Sequence, residues 1–231
     1  MEYTAYARTQ LEHVLERINR AAHAAGRNET DVALIGASKK QSPDLIRAFL
    51  QSGLSNLGEN YLQEALTKQE NLADLKPTWH FIGSIQSNKT SVLAKHFDWI
   101  HSVDRIKIAQ RLAQQRQASA PLNVLLQLNL DAEASKAGVS SDQLLPLLEL
   151  MIPLQGIRCR GLMLIPAPRE SEAEQRKIYA QARTLLESAN QLLGLRMDTL
   201  SMGMSNDLEA AIAEGSTMVR IGTDLFGKRD T

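Results

Sequence analysis

The stretch Val32–Gly53, VALIGASKKQSPDLIRAFLQSG, contains the unit from which the rest of the chain is built. Its first six residues, 32–37, have the length and composition of a buried strand. Ser38, Lys39 and Lys40 end that strand in polar side chains. Ser42 then stands as an N-cap with Pro43 at the first helical position, and Gly53 closes an apolar-periodic helix. A lysine pair is an unusual end for a core strand, because lysine is among the side chains least often buried. Two readings of the position compete: a solvated strand exit, and an amine retained for its chemistry.

The same order of strand, polar exit and helix recurs down the chain. NLGEN precedes the helix YLQEALTKQENLADL, and TWHFIG precedes a helix from Ser87 or Asn88 to His96. FDWIHS leads into a helix opened by Asp104, and PLNVLLQLNL into SSDQLLPLLELM, which carries Pro146. IRCRGLMLI is followed by a helical pattern from Arg169 to Leu193, MDTLSMGM by SNDLEAAIAEG with Ser205 or Asn206 as its N-cap, and TMVRIG by a short DLFGKR tail. A further helix over about 5–25, with Leu11, Val14, Leu15 and Ile18 at helical spacing, comes first and stops at Gly26. Eight such units predict one domain over residues 1–231: a single α/β (β/α)8 TIM barrel over 32–229, preceded by an extra helix. An open doubly wound sheet is the alternative, weakened because no GxGxxG or GxxxxGK[ST] follows a strand.

Composition narrows the class. The 231 residues carry 26 basic and 26 acidic side chains, so zero net charge gives no general attraction for nucleic acid or an anionic membrane. The single cysteine, Cys159, excludes an intrachain disulfide and a cysteine-only metal cage. His80, His96 and His101 match no metal-ligand spacing. No apolar run reaches the ~18 residues of a membrane span, and EYTAYARTQLEHV at the start has no signal-peptide core. A cytoplasmic, soluble protein is the expectation.

In a barrel, chemistry belongs at the carboxyl ends of the strands. Those ends carry Ser38 and Lys39; Gly58, Glu59 and Asn60; His80, Gly83 and Ser84; His101 and Ser102; Asn129; Ser201; and Gly222 with Thr223. SMGMSND and VRIGTD, after the last two strands, are small-residue loops whose free backbone N–H groups suit a phosphate. Arg220 faces opposite to Val219 and Ile221, so its guanidinium is either buried or aimed into the mouth and needs a partner: Glu59 in a core salt bridge, or a ligand ring or anion. A desolvated Lys39 favours its amine form and condenses with a carbonyl. The implied ligand has an aldehyde at one end and a phosphate at the other. Pyridoxal 5′-phosphate and a sugar-phosphate aldolase substrate both meet that description.

The segments SKK, LGENYLQEA, WHFIGSIQSNK, FDWIHSVDR, EASKAG, RGLMLIPAP and LSMGMSNDLEAAIAEGSTMVRIGTDLFGKR together resemble the pyridoxal phosphate homeostasis protein family, relatives of the N-terminal barrel of alanine racemase (fold type III). The resemblance runs from Val32 to Arg229. It implies an internal aldimine on Lys39 and a phosphate approached by Ser201, Gly203 and Ser205 and completed by Gly222 and Thr223. It places Arg220 at the pyridine nitrogen, Asn60 near the ring, and His80 and Ser84 along the mouth. Lys40 stands where the family usually has threonine, and Ser84 where proline is frequent; Lys40, Lys89 and Lys136 are candidates for a second positive patch. The implied function is non-catalytic carriage of pyridoxal phosphate in vitamin B6 homeostasis, by a monomer serving apo-enzymes. A racemase-like enzyme is the alternative. An arginine at the ring nitrogen supports the electron sink poorly, and racemases draw a second base from another domain, whereas only Tyr61 of the four tyrosines follows a strand exit.

Overall fold

Strand and helix alternate without interruption, and in the computed structural model, which describes residues 2–118, 120–131 and 137–227, the strands close on themselves. They are β1 (Ala33–Ala37), β2 (Asn56–Glu59), β3 (Thr78–Phe81), β4 (Trp99–Val103), β5 (Leu122–Leu128), β6 (Ile157–Leu164), β7 (Thr199–Ser201) and β8 (Met218–Ile221). All pair in parallel in chain order, and β8 returns to β1, which forms the (β/α)8 barrel. Helix α1 (Glu2–Ala24) precedes β1. After each strand in turn come α2 (Pro43–Gln51), α3 (Leu62–Asn71), α4 (Thr90–His96), α5 (Ile106–Gln115), α6 (Ser141–Met151), α7 (Glu172–Leu193), α8 (Leu208–Ala213) and α9 (Thr223–Phe226).

Local chemistry explains most helix ends. The Ser42 hydroxyl accepts the Leu45 N–H at 3.3 Å with Pro43 at the first position, as the sequence predicts. Four starts fall later than expected. Helix α7 begins at Glu172 because Ser171 caps the Glu174 N–H, while Arg169 turns away to Asp131. Helix α5 begins at Ile106 because the Asp104 carboxylate pairs with Arg105. A 3-10 turn over Ser87–Lys89 delays α4 to Thr90. Asp207 folds its carboxylate back onto the Met204 N–H, so residues 205–207 form a turn and α8 starts at Leu208.

Alternation along each strand sorts side chains into two layers. Leu34, Leu57, Phe81, Ile100, Val124, Leu162, Leu200, Val219 and Ile221 face outward and form the main core with the helices. Helix α1 contributes Ala7, Leu11, Val14 and Ile18 to that core and leaves Leu15 exposed, against the sequence reading. The inward layer is polar to an unusual degree. Register pairs Arg220 with Ile35, His80 with Gly58 and Trp99, and Ser201 with Met163, so His80, Ser201 and Arg220 all point into the lumen.

Candidate functional site

The carboxyl ends of β1, β2, β3, β6, β7 and β8 border a cavity of ≈350 Å³. Of the ten predicted binding residues, the fold brings six to it: Lys39, Asn60, Ser205, Arg220, Gly222 and Thr223. Lys39 continues the inward parity of Ile35 and Ala37 and is half-buried. Lys40 takes a left-handed conformation (φ 62°), is exposed, and donates its backbone N–H to the Glu64 carboxylate. Two adjacent lysines thus have opposite surroundings because the chain turns between them.

Arg220 forms the floor. It is 4 % exposed and donates to Ser201 Oγ at 2.6 Å and to the Leu164 carbonyl at 2.8 Å. Glu59 is not its partner. That carboxylate lies on the outward face of β2, against Lys68 of α3, because odd and even positions of a strand face opposite sides. Burial pulls the Arg220 guanidinium down to about 10, which keeps it charged at neutral pH.

Behind Arg220 a hydrogen-bonded chain crosses the lumen. Ser201 Oγ lies 2.9 Å from His101 Nδ1, His101 Nε2 lies 2.9 Å from His80 Nδ1, and His80 Nε2 lies 3.2 Å from Asn56 Oδ1. Its ends determine its proton positions. Arginine only donates and a carboxamide oxygen only accepts, so neutral His80 and His101 must both carry the proton on Nε2, and Ser201 donates to His101. Burial lowers His80 to about 3, and His101 falls well below the ordinary histidine value through burial, His80 and Arg220, in that order. Both rings are therefore neutral. Consequently His80 and Ser201, expected at the mouth, lie beneath it: Ser201 is fully buried with its hydroxyl proton committed, and His80 stacks on Trp99 at 5.7 Å.

Part of the rim is the loop between β7 and α8, two strands from β1. Asp207 Oδ1 accepts the Met204 N–H at 2.6 Å and Oδ2 accepts the Tyr179 hydroxyl at 2.8 Å, which pins the loop to α7. Arg17 of α1 braces it from behind, donating to the Ser205 carbonyl at 2.9 Å and to Glu209 and Asp224. Gly203 sits under the loop rather than in the cavity: φ is 96°, and a Cβ there would stand 2.7 Å from the Ala211 Cβ. Gly222 borders the cavity, with space for a Cβ at 3.4 Å from the Ala37 carbonyl.

Ser84 belongs to a neighbouring groove of ≈540 Å³ with Tyr61 and Lys89. Asn60 borders both spaces, and its Oδ1 is buried with no hydrogen-bond partner among the described residues. Lys136 lies outside the described residues. A larger surface groove of ≈730 Å³ between α1, α7 and α8 shares no residue with the mouth cavity. Sequence reasoning missed Arg169, Asn206 and Gln175, which also line the cavity. Arg169 could have been found as the polar exit of the sixth strand; Gln175 could not, since it reaches the mouth only through the β6–α7 connection, where it donates to the Arg169 carbonyl.

The alanine racemase N-terminal domain family matches residues 9–230. The pyridoxal phosphate homeostasis protein of Pseudomonas aeruginosa is 55 % identical over 221 residues, covering 95 % of this chain and 94 % of the relative. This chain belongs to the pyridoxal phosphate homeostasis protein family. A second member of the family, from Escherichia coli K12, is 44 % identical over 229 residues, with 95 % of each chain covered. PipY of Synechococcus elongatus, solved with PLP bound, matches with a TM-score of 0.80 and 40 % identity over 85 % of this chain and 93 % of its own. An alanine racemase from Clostridium difficile shares the fold at a TM-score of 0.71 and 14 % identity, over 94 % of this chain and 57 % of its own.

Proposed function

We propose that this chain holds pyridoxal 5′-phosphate in the mouth cavity, covalently on Lys39, and serves cofactor homeostasis as a carrier that supplies apo-enzymes. One observation carries the reading: a half-buried amine and a buried arginine share a cavity of ≈350 Å³ that Ser205, Gly222 and Thr223 also line. That volume suits a small ligand. The Lys39 amine condenses with the ligand's aldehyde: a carbon–nitrogen double bond forms, and the aldehyde oxygen leaves as water with both amine hydrogens. The Ser205 and Thr223 hydroxyls and neighbouring backbone N–H groups receive the phosphate. Arg220 keeps donors beyond the two it spends on Ser201 and Leu164, and the Asn60 Oδ1, without a partner among the described residues, suits a donor on the ligand. Bound there, the cofactor supplies an electrophilic carbon and a conjugated ring that accepts electrons.

The carrier reading over the racemase reading rests on what surrounds Lys39. Racemisation requires an acid and a base on opposite faces of one carbon. Among the described residues the cavity lining contains no tyrosine, histidine or cysteine. Asp207, its one carboxylate, has both oxygens occupied by Met204 and Tyr179. His80 is locked in the lumen, Cys159 packs against Met197, and Tyr61 stands 54 % exposed in the neighbouring groove.

Titrating cofactor-free protein with pyridoxal 5′-phosphate should produce a visible absorption band that borohydride removes, leaving the chain heavier by one reduced cofactor. Pyridoxal without its phosphate should bind at least ~10-fold more weakly, given the value of charge-assisted hydrogen bonds; equal affinities would remove the phosphate cradle. Incubation with L- and D-amino acids in deuterated water should give only trace α-proton exchange. Sustained multiple-turnover exchange with loss of optical purity, absent in Lys39→Ala, would make the protein a racemase.

A further inference from the structure

A second lysine, outside the cavity, bonds to the peptide unit that precedes the first. Lys68 of α3 is 3 % exposed, and an ammonium buried that deeply needs every proton bonded. Its Nζ lies 2.6 Å from the Ser38 carbonyl, 2.7 Å from Glu59 Oε1 and 2.6 Å from Glu64 Oε1, which accounts for all three donors. Two of these acceptors reach onward. Glu59 Oε1 also takes the Ser38 hydroxyl at 2.6 Å, and Glu64 Oε1 takes the Lys40 backbone N–H. The Ser38 carbonyl belongs to the peptide unit before Lys39, and the Lys40 N–H to the peptide unit after it. One ammonium and two carboxylates therefore grip both peptide units flanking the cavity lysine.

Burial of this kind is a poor way to gain stability, since well-packed apolar residues do as well or better. The Glu59 carboxyl bears the strain of it: burial pushes its proton affinity up despite Lys68, and its Oε2 has no hydrogen-bond partner among the described residues. What the cluster achieves is direction. β1 ends at Ala37, and residues 38–40 beyond it keep two backbone bonds, Ser38 N–H to the Gly58 carbonyl and Gln41 N–H to the Ser38 carbonyl, to which the cluster adds a bond on each peptide unit flanking Lys39. Glu64 accepts the N–H of Lys40 in its left-handed turn, and that turn separates the outward Lys40 from the inward Lys39.

We infer that Lys68, with Glu59 and Glu64, is a positioning residue that aims the Lys39 amine at the carbonyl of its ligand. The inference rests on the proposed role of Lys39. Alignment of reacting atoms is worth orders of magnitude in rate, so loss of the clamp acts on the covalent step and spares noncovalent binding.

The test separates those two steps. Formation of the borohydride-trapped adduct with pyridoxal 5′-phosphate is timed between pH 6 and 9, and noncovalent affinity is measured with pyridoxine 5′-phosphate, whose alcohol cannot condense. The variants are Lys68→Met, Lys68→Arg and the double change Lys68→Met with Glu59→Gln, which removes the fully buried carboxylate together with its ammonium if the single change fails to fold. Lys68→Met and the double variant should form the adduct at residue 39 at least ~10-fold more slowly across the pH range, with pyridoxine 5′-phosphate affinity within about twofold of the parent. Lys68→Arg should recover part of the rate. An unchanged rate in the double variant, or equal losses of rate and of pyridoxine 5′-phosphate affinity, would overturn the positioning role. A parent protein that traps no cofactor at residue 39 would instead remove the reading on which the inference rests.

Discussion

Lys39→Ala should abolish the borohydride-stable adduct, while Lys40→Ala should retain it at full stoichiometry, as read by intact mass and peptide mapping after reduction. The two lysines are neighbours in sequence and of one chemical type, so the expected contrast is purely geometric. Lys39 lines the cavity and is half-buried, which places its amine where a small carbonyl ligand would sit. Lys40 is exposed and turned outward by its left-handed backbone. The Ser205, Thr223 and Arg220 groups proposed to hold the ligand remain in Lys39→Ala, so that variant should keep measurable affinity for pyridoxine 5′-phosphate while trapping none of the aldehyde form. Trapping that survives in Lys39→Ala and disappears in Lys40→Ala would reverse the assignment.

Acid should unfold this protein through its lumen. Folded, His80 protonates only near 3 because its ring is buried, whereas in the unfolded chain it protonates at the ordinary histidine value of about 6.5. Between those values the unfolded state binds a proton that the folded state refuses. The stabilisation is therefore complete above about pH 6.5 and is lost progressively as the pH falls toward 3. At pH 4.5 the loss from His80 alone is on the order of 2–3 kcal/mol. His101, lowered well below its ordinary value, adds in the same direction, as does Asp198, held low beside Arg160. Glu59 works against them, since burial raises its carboxyl and the folded state gains from protonating it. Denaturant titrations at pH 7 and 4.5 should show a fall of several kcal/mol. Replacing both His80 and His101 with glutamine should lower stability at pH 7 and shrink the difference between the two pH values. An equally large acid loss in that variant would place the sensitivity elsewhere.

Much of the site was legible because strands have a period of two and barrels put their chemistry at one end. Those two rules bring Lys39, Asn60, Arg220, Gly222 and Thr223 to one mouth from sequence positions far apart. His80 and Ser201 defeated the same reasoning. Both face inward as their parity requires, but depth along the lumen depends on how neighbouring strands are staggered, and strand alternation carries no record of it. Ser84 and Gly203 were placed by loops, whose paths follow from contacts such as Asp207 with Tyr179 rather than from any local period.

The order of elements, the facing of Arg220 and the cap at Ser42 were decided by the sequence alone, because each depends on bonds or steric limits within a few residues. Tertiary structure decided the partners. Arg220 meets Ser201 and the Leu164 carbonyl instead of Glu59, Arg17 of α1 reaches Glu209 and Asp224, and Lys68 closes on Ser38, thirty residues before it. A buried charge must find whatever acceptors the packed chain brings within hydrogen-bonding distance, and only closure of the barrel determines which those are.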